Sequence, residues 1–254
     1  MAINSINTIK ALDAAMEKYG IEYTNCDMGE LGNCLMIPQD VCWGEEYEKI
    51  KTLPYSNKRY CAKDYFYKIK KVKTHTSMDI NGQNGALNID LRKPITESFN
   101  LMFDVITNFG TTEHIESTWP DDQYMAFKNI HKMCKVGGIM FHQVPKADNW
   151  QGRNAGFNTA HCPYYYYEEF FEQLAQNNGY EIYLNTSWNH DIGLPVDGGW
   201  SAVLNPESKR ARYECASILV KTNNDEFCSK EIFKTFKMQR LSDTGYTTTL
   251  TSYK

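Results

Sequence analysis

Short apolar runs recur between amphipathic stretches, and this alternation constrains the chain more than any other feature. "THTSMDI" (74–80), "LMFDVITNF" (101–109), "IMFHQVP" (139–145), "EIYLNTSW" (181–188) and "ARYECASILVKT" (211–222) all read as strands. "NCLMIPQDV" (33–41) precedes them, and "ALNIDL" (86–91) follows the turn residues "NGQNG". The middle runs are apolar throughout, as strands buried on both faces are. Helical spacing fills the gaps. Ile6, Ile9, Leu12, Met16 and Tyr19 share one face, and Gly20 closes that helix. "CAKDYFYKIKKV" (61–72) sets its aromatic residues on one side. Asp121 or Asp122 caps a helix that carries Tyr124, Phe127 and Ile130 inward, with Gly137 and Gly138 as its stop. "PYYYYEEFFEQLAQNNGY" reads as a helix with Pro163 near its start and Gly179 past its end. Strand–helix alternation predicts an α/β fold: a Rossmann-like, doubly wound, mainly parallel sheet with helices on both faces. No helix separates the last two strands, so they are expected to pair antiparallel at one edge.

Charge and cysteine usage narrow the function classes. The 254 residues carry 27 basic and 31 acidic side chains, a net charge of −4. That balance makes no electrostatic case for nucleic acid. The run "KIKKVK" (68–73) reads as a solvated helix end. No run reaches the roughly 20 apolar residues of a membrane helix, and the opening residues lack a signal peptide's apolar core. The eight cysteines include no C-x-x-C pair, which suggests free thiols and a cytoplasmic protein. The histidines are too scattered for a metal site, so no metal is expected. Residues 1–224 are expected to form one domain, with an N-terminal helical segment at 1–30 and an insertion near 189–210. Residues 225–254 are expected to be a helical and polar tail.

In a doubly wound sheet the ligand lies outside the carboxyl ends of the strands, at the point where strand order reverses. Here those ends carry Gln39 and Asp40, Asp79, Asp90, and Asn108. A carboxylate at a strand end can accept hydrogen bonds from ribose hydroxyls or from an exocyclic amine. It can equally be a turn former. "DINGQNG" (79–85) has no helix behind it and is a tight connection rather than a phosphate loop.

"SMDINGQNGALNIDL", "FDVITNFGTTEHI" and "NIHKMCKVGGIMFHQVP" together resemble the middle of a class I S-adenosylmethionine-dependent methyltransferase, over roughly residues 30 to 220. The resemblance implies a seven-stranded sheet with an antiparallel edge strand. It implies S-adenosylmethionine as cofactor and a small-molecule acceptor, with no nucleic acid and no membrane. It places Asp79, followed by Ile80, at the cofactor ribose. Asp90 falls at the adenine amine, with Ile89 and Leu91 beside the ring. Asn108 and Gly110 fall near the methionine end. Glu113 and His114 become candidates for a general base and its orienting partner, and the bland reading makes them a loop residue and a partly buried histidine. The segment after the fifth strand implies acceptor contacts from His161, Tyr164 and Tyr165, although the tyrosines also suit a helix's apolar face. One departure stands out. The family's first motif, an acid followed by glycines, has its best position at "CLMIPQDV", where Pro38, Gln39 and Asp40 stand in place of glycines. Either Gln39 contacts the cofactor in a variant loop, or the fold persists as an inactive binding or scaffold protein. A nicotinamide enzyme is disfavoured because G-x-G-x-x-G is absent.

Overall fold

The computed structural model describes residues 2–3, 5–36, 43–56, 59–115, 119–147, 159–160, 162–189, 213–240 and 247–248. Helix α1 (Ile6–Lys18) opens on Ser5, whose hydroxyl accepts the Asn7 amide at 3.2 Å, and Gly20 follows it with φ 67°. The central sheet contains β1 (Asp27–Leu31), β2 (Thr74–Asp79), β3 (Leu87–Asn88), β4 (Phe103–Phe109), β5 (Cys134–Pro145), β6 (Tyr180–Asn189) and β7 (Tyr213–Lys221). Their order across the sheet is β3-β2-β1-β4-β5-β7-β6. The pairs from β3 to β5 are parallel, and β7 runs antiparallel to both β5 and β6. This is the seven-stranded, mainly parallel sheet expected, with the antiparallel pairing at one edge.

Residue alternation sends each strand's side chains into two separate cores. Met28, Val105, Phe109, Ile139, Phe141 and Ile218 face α1 and the helical stretch 62–70. Leu31, Phe103, Ile106, Met140, Val144 and Leu219 face the other way, onto α4 (Asp121–Met133) and α5 (Glu168–Asn178). For numbering, α2 is Glu45–Ile50 and α3 is Ala62–Tyr65, which continues as one wider turn over Phe66–Lys70.

Three local expectations need correction. The strand at the centre of the sheet is Asp27–Leu31, not a strand over 33–41. Leu35–Met36 instead pairs with Ala2–Ile3 and Arg59–Cys61 in a small sheet completed by Tyr55–Ser56. "DMGEL" looks polar, yet its Glu30 is buried by hydrogen bonds that the sequence does not reveal. Tyr164–Tyr166 is a strand paired antiparallel with Met238–Arg240, and α5 begins only at Glu168. Consecutive tyrosines suit a strand buried on both faces. Helix α4 ends at Met133 without help from Gly137 or Gly138, which lie inside β5. Its last carbonyls are held instead by buried Lys221, whose ammonium donates to His131 O (2.7 Å), Cys134 O (3.1 Å) and Asn224 Oδ1 (3.0 Å). Residues 225–240 pack on the side of the sheet that α4 and α5 cover. Phe227, Phe233 and Phe236 join the core that α4 and α5 form, and Lys230–Phe233 is a short helix, α6. Among the described residues no helix is long and apolar enough to cross a membrane.

Candidate functional site

Strand order reverses between β1 and β4, and there both strands end in a glycine with left-handed backbone. Gly32 has φ 76° and Gly110 has φ 80°. Side chains other than glycine rarely adopt that conformation. The Gly32 amide donates to Met78 O at 2.6 Å, and the Thr111 hydroxyl donates to Leu31 O at 2.5 Å. The two strand ends are thereby fastened to each other and to β2.

Asn108 shapes the β4 side. Its amide nitrogen donates to Thr112 Oγ1 (2.9 Å) and to His142 Nδ1 (3.1 Å). Its amide oxygen accepts the Thr111 and Thr112 amides at 3.3 and 3.2 Å. Both donor hydrogens are used inside the loop, so Asn108 has none left for a ligand. His142 lies buried between Phe127 and Phe171, and burial pushes its ring down to about 3. The Gly110 amide donates to Gln143 O at 2.9 Å. Gln143 then links α1 to β7, accepting the Thr8 hydroxyl (2.9 Å) and donating to Glu214 Oε2 (2.5 Å).

Asp79, at the end of β2, is half-buried. Its Oδ2 accepts the Asn33 amide and its Oδ1 the Asn81 amide, both at 3.0 Å. Each oxygen keeps a lone pair for another donor. Next to it Ile80 is 56% exposed, with Leu87 also exposed nearby. Ile89 is half-buried and Leu91 is buried in the α4 core. Asp90 is engaged. Arg92 grips it through Nε (2.8 Å) and a terminal nitrogen (3.0 Å), and this pair holds the carboxyl below its ordinary range.

One candidate residue, at the end of β1, was not singled out from the sequence. Glu30 stands on β1 two residues before Gly32, so Glu30-Leu31-Gly32 begins an acid-x-glycine motif at the end of the correct strand. Its Oε1 accepts the Cys34 amide and the Ser77 hydroxyl, each at 3.1 Å. This corrects the placement of the first motif at "CLMIPQDV". The signal was an acid and a glycine two apart, in a stretch too polar to be read as a strand. Gln39, with Pro38 and Asp40, lies outside the described residues.

Beyond Gly110, Glu113 is 2% exposed, and its Oε2 has no hydrogen-bond partner among the described residues. Burial, helped by the nearby Glu214 carboxylate, pushes Glu113 up to about 8. His114 Nε2 stands 3.7 Å from Glu113 Oε1. The same turn is tied to the tyrosine strand, since Gln123 donates to Thr112 O (2.6 Å) and accepts the Tyr166 hydroxyl (2.9 Å). Tyr164 and Tyr165 are both buried. Tyr164 packs beside Trp119, and Tyr165 clusters with Ala147 and Cys162. His161 lies outside the described residues. Among the described residues no group of three metal-ligating side chains is assembled.

A family model described as "Methyltransferase domain" matches residues 44–185, more than half of the chain. No curated protein matches in sequence. Solved structures give loose likenesses. Burkholderia thailandensis 1,6-didemethyltoxoflavin-N1-methyltransferase, with 1,6-didemethyltoxoflavin and S-adenosylhomocysteine bound, is 11% identical with a TM-score of 0.45, over 87% of this chain and 80% of that one. An S-adenosylmethionine-dependent methyltransferase from Clostridium acetobutylicum is 11% identical with a TM-score of 0.47, over 85% and 92%. One from Archaeoglobus fulgidus is 12% identical with a TM-score of 0.41, over 83% and 93%. The family match rests on sequence and not on these likenesses.

Proposed function

This chain belongs to the methyltransferase-domain family, and from that premise we propose that it moves a methyl group from S-adenosylmethionine to a small-molecule acceptor. The observation that carries the proposal is the pair of left-handed glycines, Gly32 and Gly110, joined through Thr111 where strand order reverses. Backbone stripped of side chains at a switch point admits a ligand closely.

The residues present fit that cofactor at the nucleoside end. Asp79 has acceptor capacity for two ribose hydroxyls, and exposed Ile80 offers an apolar face to a ring. Ile89 and Leu91 would back the same ring. Asp90 fits less well, because Arg92 already occupies both of its oxygens. In this reading the contact that the resemblance implies at Asp90 is replaced by an Asp90–Arg92 pair closing the rim. Bound S-adenosylmethionine supplies a methyl group on a positively charged sulfur. The chain supplies position, which matters most for an in-line displacement. Glu113 takes a proton from an acceptor that must lose one, with a pKa near the working pH as a general base needs. His114 orients it. The proposal keeps the small-molecule acceptor and the cytoplasmic setting. The setting is supported by Cys26, Cys34, Cys61, Cys134, Cys162, Cys215 and Cys228, all free thiols.

Calorimetric titration with S-adenosylmethionine and S-adenosylhomocysteine tests this. Saturable binding is expected, and Asp79→Asn should weaken it about 10- to 100-fold, the worth of a charge-assisted hydrogen bond. Absence of heat at millimolar cofactor sinks the proposal. Unchanged affinity in Asp79→Asn removes Asp79 from the site.

A further inference from the structure

Directly beneath the Gly32–Cys34 turn lies a buried polar cluster that the proposed reaction does not use. Glu30 (1% exposed) and His75 (3% exposed) come from the neighbouring strands β1 and β2. Glu30 Oε2 stands 3.6 Å from His75 Nε2. Among the described residues, Glu30 Oε2 and both ring nitrogens of His75 have no hydrogen-bond partner. The other oxygen of Glu30 holds the turn, accepting the Cys34 amide and the Ser77 hydroxyl. One carboxyl group thus grips the turn with one oxygen and faces an unsatisfied imidazole with the other. Three orphaned polar atoms within one sealed spot require an explanation.

A shared proton accounts for two of them, Glu30 Oε2 and His75 Nε2. A lone buried carboxylate is costly, so the group retains its proton. An O–H on Oε2 needs only a small side-chain rotation to donate to Nε2, which fixes the imidazole as its Nδ1–H tautomer. The surroundings offer no competing strong partner. Lys63, from α3, donates its ammonium to Gly85 O at 3.3 Å. Asp79 binds the Asn33 and Asn81 amides. The Cys34 and Cys61 thiols face the cluster from the small sheet, and burial raises both. Phe66 stacks on the imidazole at 5.7 Å, and Tyr67 covers it at 6.0 Å.

We infer that His75 is a positioning residue: it accepts the carboxyl proton of Glu30, and this one shared proton holds the Gly32–Cys34 turn in the shape that receives the methyl donor. The inference rests on the cofactor reading above. Burial pushes Glu30 up to about 8 and the His75 ring down to about 3, so the pair keeps its proton across neutral pH. Once the proton leaves, the sealed pair carries a buried negative charge, whichever imidazole nitrogen holds the remaining proton, and the turn loosens.

Two measurements test it. S-adenosylhomocysteine affinity should fall about tenfold per pH unit above the Glu30 value of about 8. Glu30→Gln should bind with no such fall, because its carbonyl still accepts from Cys34 and Ser77 while its amide still donates to His75. A flat wild-type profile, or the same fall in Glu30→Gln, overturns the inference. Nitrogen-15 NMR of His75 in the ligand-free protein decides it separately. The wild type should show an Nδ1–H tautomer whose signals move near pH 8, and Glu30→Gln should not show that movement. An imidazole titrating near its ordinary 6.5 overturns the pair. If no variant binds S-adenosylhomocysteine, the cofactor reading fails and the NMR result alone judges the pair.

Discussion

Two glutamates, Glu30 and Glu113, are buried with one oxygen each unpaired, and both have pKa values raised from 4.5 to about 8. A raised folded-state value means the folded protein binds the proton more tightly than the unfolded chain. The stability each group contributes is complete below about 4.5, is lost as pH rises to about 8, and changes no further above that. Denaturant midpoints should therefore drop across that window, and Glu113→Gln should shrink the drop. Activity should run the other way. A Glu113 base is ionised only above about 8, so the rate should rise with pH towards that value. Glu113→Gln should lower turnover about 100-fold or more while leaving S-adenosylhomocysteine affinity unchanged, as read by steady-state rates and calorimetry. An unaltered pH–rate profile in that variant removes Glu113 from proton transfer. At this scale the positions of Asp79, at the end of β2, and of Glu113, in the turn past β4, could be read from the strand pattern. Glu30 was not, because its burial depends on Cys34 and Ser77, and Ser77 is distant in sequence. The pairing of Asp90 was equally hidden, since two residues of spacing do not reveal a bidentate grip by Arg92.

Among the elements, β1 is the one whose sequence least resembles its role. It is five residues long, central, and pairs with both β2 and β4. Gly29 explains part of that composition. A methyl group added there would lie 2.8 Å from the Phe103 ring, so the glycine makes room for that ring. Gly29→Ala should destabilise by about 1–3 kcal/mol through overpacking, measured by urea unfolding. A neutral effect would show that Phe103 can rotate away freely. The tyrosine run carries a related lesson. Tyr164–Tyr166 looks like the first turn of a helix, and its antiparallel pairing with Met238–Arg240 makes it a strand. Local spacing could not supply that partner, which comes from far along the chain.

On the scale of the whole molecule, residues 225–240 extend the core that α4 and α5 form on one side of the sheet. Phe233 is fully buried and packs its ring near Trp119, Tyr124, Phe127, Phe170 and Phe236. Phe233→Ala should cost about 3–5 kcal/mol, read as a lowered thermal midpoint. A change below about 1 kcal/mol would show that this aromatic cluster is peripheral to stability. Sequence alone determined the class of fold, since apolar strands alternating with amphipathic helices admit little except a covered parallel sheet. It also pointed to the carboxyl ends of those strands as the candidate site, because Asp79 and Asn108 stand there with Glu113 in the turn beyond. Tertiary structure decided which strand stands at the centre, where the acid-x-glycine motif lies, and that Tyr164–Tyr166 and Met238–Arg240 share a sheet. The reason is physical. Periodicity records which faces of a segment meet water. Burial of an ionisable group such as Glu30 or Lys221 depends on hydrogen-bond partners that other segments bring, and those meet only when the chain has folded.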